Sequence, residues 1–243
     1  MVELAVWLVV VGVCDLVRAA RDVTSTQRRV AIVGLGTALL LLAGVALGPS
    51  AGALAVLLGG WLSTFLLWLL GSAAALNRHS VPARVAAFGG LAGGLVFGLL
   101  ADDAAAPIGR ELPGAFSGID PETFLLVAGV GLAQLATANV AVRMVLDAVG
   151  VPASTNEKTL KGGRMLGPME RLLILALGLA GEVTAAAVVG GAKGLLRFPE
   201  LHRGTKAGPS DLTEYFLIGT LASWLIALAG VGLVAWGSAG VLT

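Results

Sequence analysis

Long apolar runs separated by short polar connections dominate the chain. A transmembrane helix needs about 20 consecutive apolar residues, and several runs reach or approach that length. Leu4 to Val17 is apolar apart from Asp15 and ends in VRAARD. Val30 to Gly48 carries no charge, Pro49-Ser50 makes a turn, and Ala51 to Leu76 contains Trp61 and Trp68. Arg78, His79 and Pro82 interrupt the pattern before Ala83 to Ala101. A polar, acidic loop over 102–122 precedes Thr123 to Val149, then come Leu166 to Phe198 and Tyr215 to Gly237. The pattern predicts an all-α polytopic bundle in a lipid bilayer, one integral membrane domain over 1–243, with six to seven spans. Their approximate bounds are 4–20, 30–48, 51–76, 83–101, 123–149, 166–198 and 215–237.

Loop charge supplies an orientation, because basic loops stay cytoplasmic. Arg18, Arg21, Arg28 and Arg29 lie in the first connection and Arg78 and Arg84 in the third, whereas the second is uncharged and the fourth acidic. The N-terminus and the 102–122 loop are therefore expected outside. A single crossing over 166–198 breaks this scheme, since it exports Lys193, Arg197, Arg203 and Lys206. A chain that bends near Gly181 and returns to the cytoplasmic side preserves it. Each arm would then be roughly 20 Å long at about 1.5 Å per residue, suited to a re-entrant or broken helix. Both readings stay open at this level.

Composition agrees with the bilayer: 57% of the 243 residues are hydrophobic and 13% charged, against about 25% charged in soluble domains. A net charge of +1 gives no support for nucleic-acid binding. Cys14 is the lone cysteine, and His79 and His202 lie far apart, so neither a disulfide nor a metal site is predicted. No cofactor is expected, and the absence of GxSxG and HExxH patterns argues against hydrolase chemistry.

The charges inside apolar runs are the candidates for function, because such groups usually face the bundle interior and mark pathways or relays. Glu182 stands in the middle of 166–198; on a continuous helix, Lys193 and Arg197 would share its face. Asn139, Arg143 and Asp147 recur every four residues and form a second track, in which Arg143 and Asp147 can pair. Gln134 lies off that track and can bond a neighbouring helix. Asp15 and Arg18 read as a solvated helix end. Lys161, Arg164, Glu170 and Arg171 form a cytoplasmic basic segment able to meet phosphate head groups, with Gly167-Pro168 starting the next helix. Gly90, Gly94 and Gly98 make a ridge suited to packing within the bundle or to a homo-oligomer.

The segments KGGRMLGPMERLLILALGLAGEVTAAAVVGGAKGLLRFPEL and EYFLIGTL resemble the C-terminal region of a family of bacterial integral membrane proteins known as a domain of unknown function. The matching positions are Gly163, Arg164, Gly167, Glu170, Arg171, Lys193, Arg197, Phe198, Glu214, Tyr215, Gly219 and Thr220. The family's N-terminal signature, a histidine before Gly-Asp-Phe, meets only Asp15 here. The resemblance implies a bacterial cytoplasmic membrane and a recurring set of charged positions, and implies no activity. Intramembrane charge favours small-solute or ion transport, with Glu182 as the working carboxylate. The alternatives are a non-catalytic scaffold or subunit and, further behind, a lipid-directed enzyme.

Overall fold

The computed structural model describes residues 1–19, 26–101, 120–151, 163–182, 184–189, 191–192 and 211–239. Among them are helices α1 (Val2–Ala19), α2 (Thr26–Ala46), α3 (Ala51–Arg78), α4 (Val81–Leu100), α5 (Pro121–Leu132), α6 (Ala138–Ala148), α7 (Gly163–Leu179) and α8 (Asp211–Ala239), and no strand. α5 and α6 are two parts of one rod, joined by a π-helical turn over Ala133–Thr137. Among the described residues five helices are long and apolar enough to cross a membrane: α2, α3, α4, the α5–α6 rod and α8. Leu42, Val45, Val85, Leu100 and Leu221 are among their exposed large apolar side chains, which suits a surface facing lipid.

Local chemistry sets the helix ends. Ser50 Oγ accepts the Ala53 N–H and Asp120 Oδ2 accepts the Thr123 N–H at 2.8 Å, with Pro121 in the first turn of α5; both satisfy amides that a helix start leaves unpaired. His79 closes α3 in the left-handed region at φ 50°.

α1 runs through the middle, with Leu4, Trp7, Cys14 and Asp15 fully buried. Missing side chains on its neighbours let it in. A Cβ on Gly94 would sit 2.1 Å from Trp7 Cζ2, and one on Gly98 would sit 2.8 Å from Leu4 Cα. A Cβ on Gly12 would sit 2.7 Å from Leu132 Cβ. Gly90 presses on α3, where a Cβ would lie 2.6 Å from the Trp68 nitrogen. The Gly90, Gly94 and Gly98 ridge thus takes part in packing within the bundle. Gly89, beside this ridge, is open: a Cβ there meets nothing within 4 Å.

The stretch predicted over 166–198 is not one continuous helix. α7 begins at Gly163, with Pro168 inside it, and ends at Leu179. The Gly181 N–H bonds the Gly178 carbonyl at 3.1 Å and the Glu182 N–H bonds the Leu177 carbonyl at 2.8 Å. With Gly181 at φ +81°, this is the paired-bond stop that left-handed glycine permits. A helical segment over 184–189 follows, and its Ala186 is buried with Ile174 of α7 and Ala227 of α8.

Side-chain pairs give the directions. Arg171 reaches Ser223, Glu170 reaches Trp224, and Gly178 abuts Val231, so α7 and α8 run parallel. α8 is antiparallel to the α5–α6 rod, because Gly219 faces Leu146 and Gly237 faces Leu126. α8 therefore starts at the end of the bundle where α7 starts.

Packing at Gly98 yields a measurable contrast. Gly98→Ala, which forces its Cβ onto the Leu4 backbone, is expected to destabilise the detergent-solubilised protein by about 1–3 kcal/mol. Gly89→Ala, with open space around it, is expected to change thermal unfolding by less than about 0.5 kcal/mol.

Candidate functional site around Arg171

Besides the Met1 amine and buried Glu3, 3.8 Å apart, three sets of charge lie within the bundle among the described residues, and two of them are closed by ion pairs. In the first, Arg18 Nη2 lies 2.8 Å from Asp15 Oδ1, and the Trp68 indole N–H donates to Asp15 Oδ2 at 2.9 Å. Arg18 Nη1 also donates to Ser72 Oγ at 2.9 Å. Asp15 is fully buried and only 11% of the Arg18 side chain is exposed. The sequence expectation of a solvated helix end is overturned: α3 covers this turn of α1 and supplies its partners. In the second set, Asp147 of α6 accepts from Arg84 of α4 and pairs with His79 at the α3–α4 corner. The partners of Asp147 thus come from other helices, in addition to any contact along its own track.

The third set is built on the π-turn. Gln134, within that turn, sends its amide Nε2 to the Ile226 carbonyl of α8 at 3.0 Å, the cross-helix bond its position suggested. A π-turn widens the ladder and offers main-chain carbonyls to outside partners. The Gln134 carbonyl accepts Arg171 Nε–H at 2.9 Å. Arg171 Nη1 donates to Ser223 Oγ at 2.9 Å, and Nη2 donates to Asn139 Oδ1. The guanidinium thereby ties three elements together: the α5–α6 rod, α7 and α8. Glu170, 6% exposed, accepts the Trp224 indole N–H at 2.8 Å on the α8 side. Gln134 Oε1 and Thr137 Oγ1 are buried, and neither finds a hydrogen-bond partner among the described residues. A Cβ at Gly167, one turn before Arg171, would come 3.5 Å from Arg171 Nη1 and 3.9 Å from Asn139 Oδ1.

This placement corrects the expected position of Glu170 and Arg171 in a cytoplasmic segment. Because α7 starts at Gly163, Glu170 and Arg171 sit two turns inside a helix and turn into the bundle, with Arg171 only 2% exposed. Lys161 and the Arg164 side chain lie outside the described residues. The intramembrane set also divides. Asn139 joins Arg171, whereas Glu182 is exposed just past the Gly181 stop, its carbonyl accepting the Ala186 N–H at 3.1 Å. With the helix interrupted there, Glu182 cannot head a continuous face bearing Lys193 and Arg197, which lie outside the described residues. Arg143 stands on α6 one turn after Asn139. Of the family-like positions, Glu214, Tyr215, Gly219 and Thr220 occupy the first turns of α8, with Glu214 exposed and Gly219 against Leu146.

Among the described residues no group of histidine, cysteine and carboxylate side chains could hold a metal ion. Comparisons with protein-family models, curated proteins and solved structures find no match.

The Asp15–Arg18 pair gives a separable test of cohesion. Asp15→Asn leaves a buried guanidinium without its counter-charge and is expected to cost about 3–5 kcal/mol. Adding Arg18→Met is expected to recover part of that loss, measured as coupling in a double-mutant cycle of thermal unfolding.

Proposed function

We propose that this chain is a bacterial cytoplasmic-membrane protein that moves a small solute or ion through its helical bundle, past the polar cluster at Arg171. The supporting observation is a charged side chain, 2% exposed, bonded inside the bundle to an interruption of regular helix, the π-turn at Ala133–Thr137, on a helix that itself stops at Gly181. Irregular backbone at membrane depth persists where protein buries it or where it lines a cavity. Broken helices near the midplane are also the usual way transporters present polar groups to a solute. Arg171 replaces Glu182 as the charge on which this reading stands.

Of the six to seven spans expected, this reading takes six crossings, with α7 and the segment after Gly181 as a re-entrant arm. At 17 residues and about 1.5 Å per residue, α7 is roughly 25 Å long, short of a hydrocarbon core of about 30 Å. Arg18, Arg84 and the starts of α7 and α8 occupy one end of the bundle, which is the cytoplasmic end if basic residues stay inside. The N-terminus and the 102–122 loop then lie outside. The basic residues that a single crossing over 166–198 would export return to the cytoplasmic side.

A scaffold or subunit role draws on a different observation: the Asp15–Arg18 and Asp147–Arg84 pairs are closed within the chain, as charges retained for cohesion and register would be.

Two measurements test the proposal. In a Cys14→Ser background, single cysteines replacing the exposed Met165 and Glu214 are expected to label from the same side of the membrane. One replacing Ala239 is expected to label from the other; opposite labelling of 165 and 214 removes the re-entrant arm. In proteoliposomes offered labelled acetate, phosphate, rubidium and sodium in turn, at least one solute is expected to move. Arg171→Gln is expected to lower that flux by about tenfold or more while the protein still elutes as a folded species. Wild-type-like flux in Arg171→Gln, or no movement of any of the four, sinks the transport reading in favour of the scaffold.

A further inference from the structure

Arg171 differs from the other buried arginines in what answers its charge. Arg18 has Asp15 and Arg84 has Asp147. The three hydrogen-bond partners of Arg171 are all neutral: a main-chain carbonyl, a hydroxyl and an amide oxygen. Among the described residues no carboxylate comes within ion-pair distance of it. Glu170, its neighbour along the chain, turns to Trp224. A buried cation normally pairs with a counter-charge, because desolvation is repaid only by close opposite charge and complete hydrogen bonding.

Hydrogen-bonding capacity is left over as well. A guanidinium has five N–H donors, and three are engaged here, leaving one on each terminal nitrogen. Those are the donors with which arginine takes the two oxygens of a carboxylate or phosphate group. Gly167 contributes no side chain on that side, where a Cβ would stand 3.5 Å from Nη1 and 3.9 Å from Asn139 Oδ1.

The geometry points to an oxyanion site at this junction: a carboxylate or phosphate group seated on Arg171 Nη1 and Nη2 beside Gly167, supplying the direct ion pair that Glu170 does not make. The site rests on the transport reading for its purpose but not for its existence, and it defines the solute class as anionic. The same chemistry is offered by a free solute and by a lipid phosphate.

Asn139→Asp separates this site from a merely structural arginine. The substitution keeps the shape of the side chain and builds a carboxylate onto Nη2, so it acts as an internal substitute for the bound anion. Detergent-purified full-length protein is heated in sodium phosphate or sodium acetate and in sodium chloride of equal ionic strength. For the wild type, a rise of ~3–5 °C is expected at an oxyanion concentration of about ten times Kd. In Asn139→Asp the rise is expected to vanish while the starting melting temperature is held or raised. Native mass spectrometry of both proteins from phosphatidylglycerol-containing membranes forms the second arm. Phosphatidylglycerol retained by the wild type and lost from Asn139→Asp assigns the site to a lipid phosphate; a thermal shift without retained lipid assigns it to a free solute. The site is overturned if neither signal appears in the wild type, or if Asn139→Asp keeps the wild-type response in both. Anion binding in a protein that moves no solute leaves the site standing and removes only the transport reading.

Discussion

A charge carried into an apolar bundle must be answered where it sits, and that constraint shapes this molecule more than any other. Water is excluded from the places where Asp15, Arg18 and Arg171 lie, so each side chain has drawn partners from a different helix. Asp15 and Arg18 fasten α1 to α3 through Trp68 and Ser72. Arg171 fastens α7 to the α5–α6 rod and to α8. Between these polar ties, association rests on close approach, with glycines on α4 and α5 giving α1 its place: Gly94 under Trp7, Gly98 against Leu4 and Gly129 against Ala5. Without a hydrophobic force between helices in lipid, contact distance and hydrogen bonding are what remain to hold them.

Irregular backbone and buried charge occur together for a physical reason. A regular helix spends its carbonyls on its own ladder, leaving little for a side chain from a neighbour to bind. The π-turn at Ala133–Thr137 gives Arg171 a main-chain acceptor at Gln134 without exposing that group to hydrocarbon. Gly181 serves a different end. Its positive φ allows α7 to stop with its last carbonyls bonded, so the chain can turn without leaving them unpaired among apolar neighbours.

Much of the helical layout was legible in the sequence because apolar run length and loop polarity report it directly. The runs read as 51–76, 83–101 and 123–149 correspond closely to Ala51–Arg78, Val81–Leu100 and Pro121–Ala148. The stop at Gly181 was visible only as one of two alternatives, since glycine in an apolar run can pack as readily as it can turn. The site was harder to read. Arg171 reads as the cytoplasmic first turn of a helix because Gly167-Pro168 resembles a helix start; nothing in the residues alone shows that the helix begins a turn earlier, at Gly163, and turns Arg171 inward. The π-turn has no sequence mark that distinguishes AQLAT from ordinary helix, and Glu182 attracted attention by its neighbours' hydrophobicity rather than by its own surroundings.

The parallel course of α7 and α8 has an electrostatic corollary. Adjacent antiparallel helices largely cancel their peptide dipoles, but two that begin at the same end add theirs, each contributing about half a positive charge near its first turn. At the face where Gly163 and Asp211 begin their helices, these two first turns thus add a local positive contribution, against which the C-termini of α1, α3 and α6 set negative ones.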